Sequence, residues 1–277
     1  MLVTPRYHGV PVLQFAGAAT DPSVPLLSQR RRLIEALRGL EPAQWAVRSR
    51  CDAWSVREVA AHVAGLNELW VMSIVGALQG TPTRLFEGFD PVKTPPRLLE
   101  ATRAWTPEET LARLVKSNEE LTEAVTGLDD DSWSLIGESP LGRVVLHLVA
   151  VHALWDGWIH ERDILLPLGL VAGEAHDEMT ACLWYVAALG PALRATRGAT
   201  RAGCLGLLAT DPDSCFVVEA GSRVVVRPGE PPPGAARLAG RVVDLIEGLS
   251  FRTPLRADFA PDDRWLLAGL DETFDRA

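Results

Sequence analysis

Within the run HALWDGWIHERD, His152 to Asp163, imidazoles and carboxylates recur at helical spacing in an otherwise apolar stretch. His152, Asp156 and His160 stand four residues apart and Asp163 three further on, so all four share one stripe of a helix. Polar groups on a buried stripe need partners, and two imidazoles with a carboxylate have one partner in common, a divalent metal ion. Two ligands at i and i+4 chelate one ion, whereas a third at i+8 lies about 12 Å along the axis. The spacing therefore offers His152 with Asp156, or Asp156 with His160, and asks for a third ligand from another helix. His62, flanked by Ala60, Ala61, Val63 and Ala64, is the candidate, because small neighbours let a second helix approach. The competing reading makes His62 a core histidine bonded to a carbonyl and the His–Asp pair an intrahelical hydrogen bond.

The elements that must position these residues read as helices for most of the chain. Pro25 to Leu40 carries Leu33, Ile34 and Leu37 on one face. The helix bearing His62 starts at Ser55, with Glu58 completing a capping box and Trp54 and Val59 at staple positions. Residues 80–96, rich in Pro, Thr and Gly, read as a long connection. A second S/T-x-x-E start, Thr106 with Glu109, opens a helix to Leu128; a fourth helix is expected over Pro140 to Leu166, and a fifth from Asp177. After Gly198 the pattern changes to short strands, CLGLLAT, SCFVVEAG, SRVVVRPG and ARLAG, with a tight turn at Gly221-Ser222, followed by two short helices. The expected class is α+β: a four-helix bundle plus an appended helix, then a small α/β domain. The expected boundaries are an N-terminal extension over 1–24, a helical metal-binding domain over 25–198 and the small domain over 199–277.

Composition narrows the partners. The chain has 277 residues and a formal charge of −9, which argues against a phosphate-bound nucleic acid and against a polybasic membrane anchor. Lys93 and Lys116 are the only lysines among abundant Arg, Ala, Leu and Gly, the coding bias of a GC-rich genome. No basic, apolar signal segment and no run of about 18 uninterrupted apolar residues is visible. Cys51, Cys182, Cys204 and Cys215 lack CxxC spacing and read as free thiols of a cytoplasmic protein. The triplet Arg30-Arg31-Arg32 reads as a solvated helix face. His8 and His147 have no partners visible in the sequence, and Trp155 and Trp158 read as core residues that alternatively wall a pocket. Cys51 precedes a helix at its positive end, where a thiolate is favoured, although a small buried apolar role competes.

RCDAWSVREVAAHVAG resembles the opening motif of the mycothiol-dependent maleylpyruvate isomerase family, within the DinB-like metalloenzyme superfamily. The matching positions are Cys51, Trp54, Ser55, Val56, Glu58 and the metal-binding histidine, His62. WDGWIHERD is similar to the second family motif through Asp156, His160 and Asp163, with Asp156 standing where the family has glutamate. The resemblance thus implies His62, Asp156 and His160 as metal ligands and leaves His152 as a pocket residue or a support for a ligand. It further implies a C-terminal domain shaped like sterol-carrier proteins, in which DLIEGLSFR ends in Arg252, the anchor of a substrate carboxylate. Arg84, Arg97 and Arg103 are further candidates for an anion clamp.

Two imidazoles and one carboxylate leave open positions on a divalent ion, the arrangement of catalytic sites; Zn²⁺ suits them first, and Ni²⁺, Fe²⁺ or Mn²⁺ are compatible. A thiol at such a position is deprotonated and becomes a strong nucleophile. The family's thiol is mycothiol, whose addition and later elimination permit cis–trans isomerisation or thiol transfer. The expected function is therefore a metal- and mycothiol-dependent isomerase or transferase acting on a small, anionic electrophile, as a monomer or homodimer. The alternatives are a metal-free binding protein for an apolar ligand and a metal-dependent hydrolase or cyclase.

Overall fold

The computed structural model describes residues 3–17, 21–255 and 259–271. A short strand, β1 (Leu13–Phe15), precedes helices α1 (Ser23–Arg38), α2 (Val56–Leu78), α3 (Thr94–Glu100), α4 (Pro107–Val125) and α5 (Asp130–Ser134). A hairpin of β2 (Ile136–Ser139) and β3 (Gly142–Val145) leads into α6 (Leu146–Leu165), which is followed by α7 (His176–Thr196). The remainder holds β4 (Gly203–Thr210), β5 (Ser214–Ala220), β6 (Val224–Pro228), β7 (Ala236–Arg241), α8 (Val242–Leu249) and α9 (Trp265–Asp271). α1, α2, α4 and α6 form the bundle, and α7 packs between α6 and the sheet. The fold is thus the expected mixture of a helical N-terminal region and a C-terminal sheet domain.

Both capping boxes form: the Ser55 hydroxyl accepts from the Glu58 amide and the Glu58 carboxylate accepts from the Ser55 amide, with the same reciprocity at Thr106 and Glu109. α2 is long and apolar enough by composition to cross a membrane, and 61% of its apolar window is buried in this protein. α6 is the central element: of its 20 residues, all but His147 and Asp156 are buried. A helix apolar on every side belongs inside a core. One cluster spans bundle and sheet, holding Trp158 of α6, Ala187 of α7, Phe216 and Val218 of β5 and Ile246 of α8, and a second holds Leu33, Val59, Leu114 and Ile164.

Three expectations are corrected. The fourth helix begins at Leu146, since residues 136–145 form a hairpin whose apolar residues continue the helical pattern. Gly142, at φ +91°, has the leader's backbone against it: a Cβ there would meet Arg6 N and O at 2.3 Å each. Arg6 N donates to Leu141 O at 3.0 Å, and Arg143 N to Arg6 O at 2.9 Å. The leader, read as an extension, instead supplies β1, which pairs in parallel with β6 through Leu13–Val224, Gln14–Val225 and Phe15–Val226. It edges a five-stranded sheet ordered β1-β6-β5-β4-β7, in which β4 and β7 are also parallel.

Of the arginine triplet only Arg31 is exposed as a solvated face would be. Arg30 is fully buried beneath α6, donating to Asn67 Oδ1 at 3.0 Å and to Ala153 O at 2.9 Å, with Gln29 Oε1 also in contact. Burial lowers its pKa to about 10, against the raising influence of Asp156 and Glu161, so it stays cationic at neutral pH. Arg32 bridges Glu161 and Glu178, each at 2.7 Å. Arg30 fits because residue 157 is glycine: a Cβ there would sit 1.4 Å from Arg30 Nη1. Gly157→Ala is therefore expected to expel a buried, hydrogen-bonded cation, with a loss of about 3 kcal/mol or more. Gly65→Ala, on the exposed side of α2 with nothing within 4 Å, should instead gain up to about 1 kcal/mol. Urea unfolding of the two variants measures both.

Candidate functional site

α2 and α6 pack side by side and bring His62 against His160, their rings perpendicular with centroids 5.0 Å apart. Trp54, just ahead of α2, covers the other side of His62 at 4.9 Å. His160 Nε2 faces Asp156 Oδ1 at 3.6 Å, and the ligand atoms of His62, Asp156 and His160 all lie within 4.8 Å of one another. Tetrahedral bonds of about 2.1 Å would set such atoms about 3.4 Å apart, close to the Asp156–His160 separation. Asp156 Oδ2 is buried without a hydrogen-bond partner. A carboxylate oxygen left in that state is costly unless a cation is its partner. Two imidazoles and a carboxylate with one orphaned oxygen thus form a donor set that fits a divalent metal.

The charges around this trio are set by burial and by one another. Burial, reinforced by the charge of His160, holds His62 well below the ordinary imidazole range, so the ring is neutral at neutral pH and one nitrogen keeps a free lone pair. His160 is pushed the other way: burial opposes its charge, but Asp156 and the hydrogen bond to Asp163 raise its pKa to about 10. Without a metal, a proton therefore sits where the cation would be. Burial raises the pKa of Asp156, with His160 and Arg30 opposing.

Asp163 stands behind the trio with a fully buried side chain. Its Oδ2 accepts from His160 Nδ1 at 3.0 Å and from the Cys51 thiol at 3.2 Å. A carboxylate only accepts, so Nδ1 carries the hydrogen and Nε2 is the nitrogen turned to Asp156. Arg252 forks the same carboxylate, Nε to Oδ1 at 2.7 Å and Nη2 to Oδ2 at 2.8 Å. Although burial opposes its ionisation, the bonds to His160 and Arg252 hold this carboxyl far below the usual range.

A cavity of about 570 Å³ opens over the trio, walled by aromatic side chains that include Trp54, Trp70, Phe86, Phe89 and Trp155. His152 lines it but is not grouped with the trio: its Nδ1 meets the Tyr185 hydroxyl at 2.5 Å, and burial lowers its pKa to about 3. Trp155 belongs to the wall, its Nε1 donating to Ser250 Oγ at 3.0 Å, whereas Trp158 is fully buried core. Cys51 lines the cavity half-buried and also packs against the core cluster that holds Val59 and Ile164. Arg252 also lines it, committed to Asp163. Arg84 lies over the Tyr7 ring, Arg103 pairs with Glu100 at the surface, Arg97 is exposed, and none of the three lines the cavity. His147 meets Phe15 edge-on, and His8 is exposed.

Two residues of consequence escaped the sequence reading. Arg50, beside Cys51 in the motif itself, lines the cavity and pairs with Glu247 at 2.9 Å. Glu138, a lone acid in an apolar run, is completely buried and gathers the segment that closes the cavity. Its carboxylate accepts from Thr83 Oγ1 and Leu85 N at 2.7 Å, from Phe86 N at 2.9 Å and from the Tyr7 hydroxyl at 2.7 Å.

Comparison with known proteins follows the same lines. The family model described as the mycothiol maleylpyruvate isomerase N-terminal domain matches residues 26–165. Two crystal structures of the mycothiol-dependent maleylpyruvate isomerase, one of them a histidine-to-alanine mutant, superpose with a TM-score of 0.60 each. They are 17% and 16% identical in sequence, and each match covers 86% of this chain and 90% of the other. At that identity the likeness is one of fold. No curated protein sequence matches the chain.

Because the folded pKa of Asp163 is depressed, its contribution to stability is present above its unfolded pKa, about 3.9, and is lost as the pH falls toward the folded value. Asp163→Asn is expected to cost about 3 kcal/mol or more at pH 7, leaving Arg252 without its counter-charge. It should also flatten the decline of stability between about pH 4 and 2. Chemical denaturation of wild type and variant at pH 7 and pH 3 measures both effects.

Proposed function

We propose that this chain, which belongs to the mycothiol maleylpyruvate isomerase N-terminal domain family, is a metal-dependent enzyme that uses a low-molecular-weight thiol, mycothiol, to isomerise or conjugate an electrophile. The observation that carries the reading is the trio of His62, Asp156 and His160 at the base of the cavity, with a buried Asp156 oxygen that has no partner. A divalent ion held by these three side chains would supply a positive charge that lowers the pKa of an incoming thiol and holds it as thiolate. Zn²⁺ is the first expectation for two imidazoles and a carboxylate, with Ni²⁺, Fe²⁺ and Mn²⁺ compatible.

The chain's own residues prepare that position. Burial keeps His62 neutral, so it offers a lone pair without first losing a proton. Asp163, bonded to His160 Nδ1, fixes the ring so that Nε2 faces the site. Arg252 anchors Asp163, which makes it a positioning residue for His160 through the carboxylate between them. His152, neutral and tied at Nδ1 to Tyr185, keeps its second nitrogen for a hydrogen bond within the cavity it lines. The tryptophan and phenylalanine walls exclude water from around the reacting groups. Free cysteines throughout the described residues suit the reducing cytoplasm, where we place the protein.

Purified protein should bind about one equivalent of metal by elemental analysis, and His62→Ala and His160→Ala should each lose it while remaining folded by circular dichroism. Since metal must displace the proton of His160, whose pKa is raised to about 10, affinity should rise roughly tenfold per pH unit between pH 6 and 8. Failure to take up Zn²⁺, Ni²⁺, Fe²⁺ or Mn²⁺ would overturn the reading in favour of a metal-free binding protein. Metal uptake in which mycothiol leaves the spectrum of the Co²⁺-loaded protein unchanged would favour a metal-dependent hydrolase or cyclase.

A further inference from the structure

We infer that the electrophile taken by this site is a neutral, bulky, largely aromatic carbonyl compound, and not the small anionic substrate expected from the sequence; the inference rests on the thiol-dependent reading above. Its basis is the charge balance of the cavity. Among the described residues that line it, the arginines are Arg50 and Arg252, and there is no lysine. Arg252 is forked onto Asp163. Arg50 pairs with Glu247, which also takes Arg162; Arg162 reaches Glu174, and Arg241 lies between Glu174 and Asp211. Three arginines thus face three carboxylates, and neither arginine that lines the cavity is left over for a substrate.

The remaining charges at the site also close. A divalent ion would be balanced by Asp156 and by the thiolate. Asp52, exposed at the rim, adds a negative charge to the entrance. Once Asp156 and a bound thiolate balance the ion, a di-acid entering the cavity would be desolvated without a counter-ion, and burial of unpaired charge is strongly unfavourable.

What the cavity does offer is apolar surface and a few directed donors. Trp54, Trp70, Phe86, Phe89, Trp155 and Phe251 line it, enough aromatic area for a ring system and far more than a short di-acid covers. Phe251 is held at φ +59°, a left-handed backbone that a non-glycine residue adopts at a cost, and this turn directs Phe251 and Arg252 to the cavity together. Of the five N–H hydrogens of Arg252, four are engaged, by the two Asp163 oxygens, Ser250 O and, at 3.7 Å, Cys51 Sγ. One Nη1 hydrogen remains, which suits one carbonyl oxygen and does not suit a bidentate carboxylate.

Equilibrium dialysis of the full-length, Zn²⁺-loaded protein in saturating thiocyanate, which fills the open position of the metal with the single negative charge a thiolate would bring, against trans-4-phenylbut-3-en-2-one, a neutral aromatic enone, and against maleate, a dianionic alkene, tests this. The enone is expected to bind at least tenfold more tightly. Phe89→Ala, a half-buried wall position, should weaken the enone at least fivefold, whereas Glu247→Gln, which releases Arg50, should strengthen maleate. Equal or tighter binding of maleate by the wild type, or no binding of either compound, overturns the inference. A parallel titration of Co²⁺-loaded protein with mycothiol, read as a thiolate-to-metal absorption band, keeps the two ideas apart. The band with a preference for maleate sinks only the substrate class. Enone binding without the band sinks the thiol reading and leaves the cavity's selectivity standing.

Discussion

One buried carboxylate organises the functional half of the molecule. Asp163 receives two hydrogen bonds from Arg252, one from His160 and one from the Cys51 thiol, and its backbone carbonyl accepts from Arg50 N at 3.0 Å. Through these bonds a single residue of α6 joins the loop before α2 to the turn after α8, segments about 200 positions apart in the chain. Several charge-assisted donors offset the desolvation of one anion, so the charge is tolerated in the core and the donors are fixed by it. The plane of the His160 ring, the approach of Arg252 to the cavity and the position of Cys51 all follow from where Asp163 stands.

The same economy of charge recurs around the cavity. Arg30 lies under α6 because residue 157 has no side chain, and it contributes positive potential beneath Asp156. Glu138 turns an irregular segment into a wall by accepting from two of its backbone amides, a threonine hydroxyl and a tyrosine hydroxyl. Among the described carboxylates Asp156 is the exception, with a buried oxygen, Oδ2, that has no donor. Where the surrounding acids are satisfied with such care, an unsatisfied one marks the place where a ligand completes the structure.

Much of this was legible in the sequence because it depended on local rules. Ser55 with Glu58 and Thr106 with Glu109 announced helix starts through contacts three residues apart, and the i, i+4 spacing put Asp156 and His160 on one stripe. His62 joined them because its small neighbours allow close helix packing. What stayed hidden depended on distant partners. The spacing of Arg30 is that of a surface arginine, and only Asn67, Ala153 and the glycine at 157 reveal that it is interior. Arg252 was expected at the site through the family resemblance of DLIEGLSFR, but the carboxylate that occupies it lies 89 residues earlier. The hairpin ahead of α6 escaped notice because its alternating apolar residues blend into the helical pattern that follows.

The parallel pairing of β1 with β6 carries a consequence for how the chain assembles as it is made. Antiparallel neighbours such as β4 and β5 find each other across a few residues, but Leu13 must wait for Val224. Until β6 has emerged from the ribosome, an early segment containing Val12 and Leu13, both 1% exposed in the finished protein, has no sheet to join. The leader also carries Tyr7, which bonds Glu138, and Val3, whose amide donates to Phe89 O at 2.9 Å. Synthesis therefore delivers the first part of the chain last into place: the bundle can form beforehand, but the strap that ties cavity wall, hairpin and sheet edge together closes only when translation has passed residue 226.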